Sequence, residues 1–240
     1  MIKPIKAESL KDIFVKQFEE NILAGYFAIG EKLPSERDLA VQMGVSRPVV
    51  HEGLVDLAAK GLVTMKPRLG AIVNDYRKEG SLALLQSLMQ YDRGGVDDAL
   101  LTSMLDMRTL FEVENVRLAS LNRTDDHLSD LLQVIEKEKK ASHKNLKRIT
   151  ELDFNFHHSL SLASGNIIYP LMLNSMKPFY TNISGIFFKT NGVVPVVFDF
   201  HAAIVDAVKN HDDMKAVLIM KKMLLHGETH LRGQVGNRNT

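Results

Sequence analysis

The spacing of apolar residues changes at Gly61, and that change limits the folds open to this chain. Before Gly61 the spacing is helical. Leu10, Ile13, Phe14, Phe18, Ile22 and Leu23 share one face of a first helix over about residues 8–24, and Gly25 stops it. Ser35 followed by Asp38 reads as a capping box with a shortened acid, opening a short helix to Met43. Gly44-Val45 predicts a tight turn. Ser46 then offers a hydroxyl cap, and Pro48 falls in the first turn, where a missing N–H does no harm. A third helix carries Val50, Leu54, Leu57 and Ala58 to Lys60-Gly61. Beyond it, residues 62–65 and 71–73 read as strands around the basic turn Lys66-Pro67-Arg68-Leu69-Gly70. Two helices joined by a short turn and followed by a basic hairpin have the order of a winged helix-turn-helix.

The rest of the chain is helical in pattern. Segments at about 80–92, 96–121, 125–141, 146–164, 166–188, 194–210 and 212–232 carry it, and residues 233–240 are expected to fray. The charge run Glu136 to Lys140 reads most simply as a solvated helix face. The expected fold class is mainly α: a winged helix (α+β) over residues 1–76, then an all-helical domain over residues 80–232.

Composition excludes several chemistries. The 240 residues contain no cysteine, so a disulfide framework, a thiolate metal site and a cysteine nucleophile are ruled out. No run approaches the roughly 18–20 apolar residues of a membrane span, and the first residues lack a secretory signal's apolar stretch. The expectation is a soluble, cytoplasmic protein with no membrane partner. The net charge is only +1. Residues 1–75 hold ten Lys/Arg against ten Asp/Glu, so any contact with nucleic acid depends on local placement.

That placement is specific. A recognition helix presents its N-terminal turns to the major groove, and here those turns hold Ser46, Arg47, Pro48 and His51. Arg47 can bond guanine O6 and N7 together, and His51 lies one turn further along the same face. Ser46 and Arg37 are placed for phosphates. Lys66 and Arg68, beside Gly70 at the wing tip, suit phosphate or minor-groove contact. Between Val45 and Ile72 there are four basic and two acidic residues, so the local positive potential is modest. Two copies on a palindromic duplex would double the phosphate contacts.

In the helical part, Asp153 and His157 stand four apart, a spacing that lets one metal ion take a carboxylate oxygen and an imidazole nitrogen from one helix face. His201 and His226 lie on later helices, and a bundle could bring all four inward. Such a donor set suits zinc, nickel or manganese. The same Asp–His spacing also occurs as a plain surface hydrogen-bond pair. Arg108 could clamp an effector carboxylate, or pair with Glu112 on its own helix.

Three strings carry a resemblance: residues 33–40 (Leu33-Pro34-Ser35-Glu36-Arg37-Asp38-Leu39-Ala40), 44–50 (Gly44-Val45-Ser46-Arg47-Pro48-Val49-Val50) and 57–63. Their order and spacing resemble the GntR family of bacterial transcription regulators. The resemblance implies DNA contacts from Arg37, Ser46, Arg47 and Gly70. It departs at His51, where the family usually has arginine. Residues 80–230 resemble the effector domain of the FadR subfamily through Met107 to Glu112, Asp153 to His157, Leu162 to Asn166, and the segments after His201 and Asp212. That resemblance implies an antiparallel helical bundle. In the subfamily's metal-binding branch one Asp and three His hold the ion, and a carboxylate effector can complete its shell. Asp153, His157 and His201 match three of these positions, whereas the fourth holds Met223, with His226 one turn beyond. The effector expected from this branch is a small organic acid, with Arg108 and Asn166 as contacts.

A second likeness, through Glu151 to Asn155, Ala163 to Tyr169 and Leu173 to Thr181, resembles the fatty-acid-responsive members of the subfamily. It implies an acyl-CoA effector without metal, with Phe179, Tyr180, Ile183, Phe187 and Phe188 lining a tunnel or packing a core. The implied assembly is a homodimer on a pseudo-palindromic double-stranded DNA operator, controlling metabolic genes. Two further readings are a metal-dependent hydrolase built on Asp153, His157 and His201, and a sensor of the metal itself. Against the hydrolase, the chain has no nucleophile elbow, phosphate loop or zinc-protease helix motif.

Overall fold

The computed structural model describes residues 9–90 and 98–236. They form two compact units, which meet in sequence at residues 91 and 92.

The first unit contains α1 (Leu10–Leu23), α2 (Glu36–Met43), α3 (Arg47–Ala59), β1 (Val63–Lys66), β2 (Gly70–Val73), α4 (Tyr76–Glu79) and α5 (Leu82–Gln90). Ser9 and Ser35 cap α1 and α2, each hydroxyl accepting the backbone N–H three residues on. Ser35 also donates to the Asp38 carboxylate at 2.7 Å, so the shortened acid answers the serine hydroxyl. Ser46 occupies the cap position of α3, but its hydroxyl makes no cap bond. The two strands pair antiparallel, Val63 opposite Val73 and Lys66 opposite Gly70. Residues 30–33 add a third pairing that apolar spacing does not reveal. Leu33 N–H donates to Ala71, and Val73 N–H donates to Glu31.

One core fills this unit, built on Phe14, Phe18, Leu39, Leu54, Leu57 and Val73. Phe14 and Phe18 stack at 4.5 Å. Gly53 lets α3 close on α1, because a Cβ there would run into the Phe14 ring. Leu84 of α5 is buried in the same core, so α4 and α5, beyond residue 76, pack with the winged helix. Lys60, which caps α3, ties this arrangement together. Its ammonium bonds the buried Glu19 of α1 and, at 2.9 Å, the Ser87 hydroxyl of α5.

The second unit is helical throughout its described residues: α6 (Asp98–Asn122), α7 (Asp125–Lys139), α8 (Leu146–Ala163), α9 (Ile168–Ser175), α10 (Lys177–Phe187), α11 (Val193–Lys209) and α12 (Asp213–Gly236). The expected helix over 166–188 is two helices, broken at Met176. Pro178 explains the break: it has no N–H for the preceding turn and is accommodated in the first turn of α10. Residues 233–236 continue α12 rather than fraying, and 237–240 lie outside the described residues. The centre of the unit is α8, which packs on α6, α7, α9 and α10, while α12 closes the bundle on α6, α10 and α11. Among the described residues no helix is long and apolar enough to cross a membrane.

The close approach at Gly53 can be tested. Gly53→Ala should destabilise the protein by about 1–3 kcal/mol, the usual cost of overpacking a filled core, as measured by chemical denaturation. A variant as stable as the parent would show that Phe14 has room to move.

Candidate functional site

The DNA-reading residues named from sequence lie on the surface of the first unit. Arg37, Ser46, Arg47, Pro48 and His51 are all exposed, as are Lys66, Arg68 and Gly70 of the wing. Arg47 opens α3, and His51 follows one turn later. The imidazole Nδ1 of His51 lies 2.8 Å from Glu36 Oε1 on α2. Arg68 holds the wing tip in the left-handed backbone region at φ 64°, with Gly70 at φ 93°. Asp56, one of the two acids near the reading helix, is paired with Lys11 at 2.8 Å.

The second unit buries a polar cluster at its centre. Helix α8 supplies Asp153 and His157, and α11 supplies His201, all three buried. Asp153 Oδ1 lies 3.9 Å from His157 Nε2 and 3.7 Å from His201 Nε2. These donor atoms all lie within 4.8 Å of one another. The far side of each imidazole meets a buried glutamate: His157 Nδ1 is 2.9 Å from Glu112 on α6, and His201 Nδ1 is 2.8 Å from Glu138 on α7. A carboxylate only accepts, so Glu138 fixes the His201 proton on Nδ1 and turns the Nε2 lone pair toward Asp153. Ser184 of α10 donates to Asp153 Oδ2 at 2.8 Å, leaving Oδ1 facing the imidazoles.

This arrangement fits a divalent cation. His201 Nε2 is buried and has no hydrogen-bond partner. Ligand histidines characteristically donate their other N–H to a carboxylate, which orients the ring. The carboxylates of Asp153, Glu112 and Glu138 and the guanidinium of Arg108 surround the two imidazoles, a dense set of polar donors and acceptors at a buried centre.

Arg108 belongs to the cluster. Its Nη2 lies 3.3 Å from His157 Nε2, and its Nε donates to the Tyr180 hydroxyl at 2.9 Å. The alternative pairing with Glu112 is not formed, since that carboxylate faces His157. Arg108, Asp153 and His157 border a small cavity of about 20 Å³, room for about one water, whose other walls include Ile183, Phe187, Val197 and Met223. Phe179, Tyr180 and Phe188, the other aromatic tunnel candidates, are buried but do not line it.

Two residues named from sequence lie elsewhere. His226 packs beside His230, 4.3 Å between ring centroids, with Phe187 and Phe200 at the edges. On α12 the cavity is faced by Met223, Leu224, Gly227 and Leu231, and His226 projects about a third of a turn away from that face. Burial, and then the neighbouring His230, hold its imidazole below the ordinary range. Asn166 sits in the α8–α9 turn, its side-chain oxygen accepting the Ile168 N–H.

Sequence reasoning missed Glu112, Glu138 and Ser184. The signal for Glu138 was present. It follows Leu131, Val134 and Ile135 at helical spacing, which puts it on the buried face of α7 inside a run that reads as solvated.

Residues 14–73 match the family described as bacterial regulatory proteins, gntR family, and residues 74–231 match the FadR C-terminal domain. The chain belongs to the FadR branch of the GntR regulators. It is 33% identical over 186 residues to a "Fatty acid metabolism regulator protein" of Klebsiella pneumoniae, covering 78% of this chain and 75% of that one. The protein of that name from Proteus mirabilis is 29% identical over 197 residues, covering 82% and 80%. Among solved structures, one titled for Lar, which controls the agr system of Listeria monocytogenes, aligns with TM-score 0.61 at 18% identity over 95% of this chain and 99% of that one. Escherichia coli McbR/YncC aligns with TM-score 0.53 at 18% identity, covering 95% and 99%. These structural likenesses support the winged-helix and helical-domain architecture. The matched families are regulators, not enzymes, so the hydrolase reading falls away.

The glutamate behind His201 gives a test. Were zinc to occupy the cluster, Glu138→Gln would weaken its binding about 10–100-fold in calorimetric titration, the usual loss when an outer hydrogen-bond partner of a ligand histidine is changed. Unchanged affinity would mean that Glu138 does not orient the ligand.

Proposed function

We propose that the protein is a homodimeric, operator-binding transcription regulator whose effector is a small organic acid held at the buried Asp153–His157–His201 centre with a divalent ion. The observation that carries this reading is the inward-facing His201 Nε2, buried without a partner beside the Asp153 carboxylate. Zinc, nickel or manganese matches the imidazole and carboxylate donors. When bound, the ion supplies a positive charge that attracts an effector carboxylate.

Arg108 supplies the second handle. Its guanidinium now occupies the His157 Nε2 lone pair, so an ion at that nitrogen releases the guanidinium to clamp the carboxylate. The apolar walls then select the rest of the acid. His226 and Asn166 have no part in this centre.

On the DNA side, Arg47 reads a base edge in the major groove while Arg37, Ser46, Lys66, Arg68 and the backbone at Gly70 hold phosphates or the minor groove. Pro48 starts the reading helix. Dimerisation is supported by exposed apolar side chains on α6 and α12: Leu110, Met214, Leu218 and Leu225. The operator is accordingly a pseudo-palindrome in double-stranded DNA, and the protein works in the cytoplasm. The relatives' names favour genes of fatty acid metabolism as targets. They also favour a second reading, in which an acyl-CoA is the effector and no metal is needed.

Native mass spectrometry of the purified protein, with elemental analysis, separates the two. One divalent ion per chain and a co-purified small acid support the first reading; an acyl-CoA and no metal support the second. For the DNA contact, Arg47→Ala should cost about 1–3 kcal/mol of specific binding to the protein's own upstream duplex, read by fluorescence anisotropy. Equal affinity in the variant would remove Arg47 from the interface.

A further inference from the structure

Glu36 opens α2 and His51 lies on α3, yet the two side chains meet at 2.8 Å between Oε1 and Nδ1. The contact is on the surface, with His51 55% exposed and Glu36 30%. A carboxylate can only accept, so the proton of a neutral imidazole stays on Nδ1. Nε2 is then a pure acceptor. Among the described residues it has no hydrogen-bond partner. It sits one turn beyond Arg47, on the helix that carries the DNA-reading positions.

We propose that the Glu36–His51 pair is a specificity device: Glu36 positions the imidazole, and His51 Nε2 selects a base bearing an exocyclic amine at one position of each half-site. In the major groove, adenine N6 and cytosine N4 are donors, whereas guanine offers N7 and O6 and thymine offers O4, all acceptors. An Nε2 lone pair is satisfied by adenine or cytosine and faces another lone pair at guanine or thymine. Arginine in the same place, having only donors, prefers guanine. The acid is part of the design. A carboxylate close to a phosphate backbone repels it, and here that carboxylate is committed to setting a tautomer.

The inference rests on the operator-binding reading above, and one experiment separates their failures. Duplexes are selected from a randomised pool by the full-length protein at about pH 8, where an imidazole is neutral. His51→Arg, His51→Ala and Glu36→Gln are carried through the same selection. The wild-type protein should favour adenine or cytosine at one half-site position by several-fold, the worth of one hydrogen bond. His51→Arg should move that position alone to guanine. His51→Ala should leave it without preference. Glu36→Gln should relax it, because an amide can donate to Nδ1 as well as accept from it and no longer fixes the tautomer. A merely structural staple between α2 and α3 predicts a lower melting temperature with the base pattern intact. Enrichment of the same base by wild type and His51→Arg overturns the inference alone. Failure of the wild-type protein to enrich any sequence overturns the operator-binding reading and this inference with it.

Discussion

The second unit depends on a hydrogen bond that points away from its centre. Glu138 takes the His201 Nδ1 proton at 2.8 Å and thereby aims the other ring nitrogen at Asp153. Glu112 lies 2.9 Å from His157 Nδ1, close in distance but without a formed hydrogen bond. Four helices are recruited to hold these rings: α6 and α7 through the glutamates, α8 through Asp153 and His157, and α11 through His201. Phe156 stacks on the His201 ring at 3.7 Å, so the imidazole is clamped on its face as well as at its edge. An apolar bundle of this size does not need three carboxylates near its centre for stability. Each carries a desolvation cost, offset in part by the Arg108 guanidinium and the imidazoles beside it.

The winged helix solves a different problem with no net charge. Its residues up to 75 are formally neutral, so affinity cannot come from a general positive field. The fold compensates by placement. Asp56 is paired with Lys11 and Glu36 with His51, which leaves Arg37, Arg47, Lys66 and Arg68 exposed on the reading helix, its partner helix and the wing. Their geometry rests on the packing behind them, where Gly53 brings α3 against the Phe14 ring.

Much of this was legible in the sequence because it depends on short-range patterns. The change of period at Gly61 located the hairpin, and the Ser46-Arg47-Pro48 start located α3. The four-residue spacing of Asp153 and His157 required only that the segment be helical. The unread parts depend on distant partners. The pairing of residues 30–33 with β2 follows from a chain reversal that no local period records. Glu138 was masked by charged neighbours, although its place after Val134 and Ile135 marked the buried face. The likeness that named His226 as a substitute ligand followed sequence spacing, while the helix phase of α12 turned that ring toward His230. Leu84 illustrates the same limit at domain scale, since only packing assigns α5 to the winged helix.

That assignment of α5 bears on how an effector can act. The winged-helix core does not end at β2. It continues through Leu84, and Lys60 at the end of the reading helix is bonded to Ser87 on α5. The C-terminal cap of α3 is therefore joined to α5 through the Lys60–Ser87 hydrogen bond and to α1 through the Lys60–Glu19 ion pair. Effector binding changes DNA affinity only to the extent that it favours one conformation over another. A tenfold change requires about 1.4 kcal/mol of such preference. A charge-assisted hydrogen bond gained by Arg108 in one state and absent in the other is of that size, roughly 1.5–3 kcal/mol. On the proposed reading, in which Arg108 changes partners when an effector binds, a gain of that size would suffice for a tenfold change.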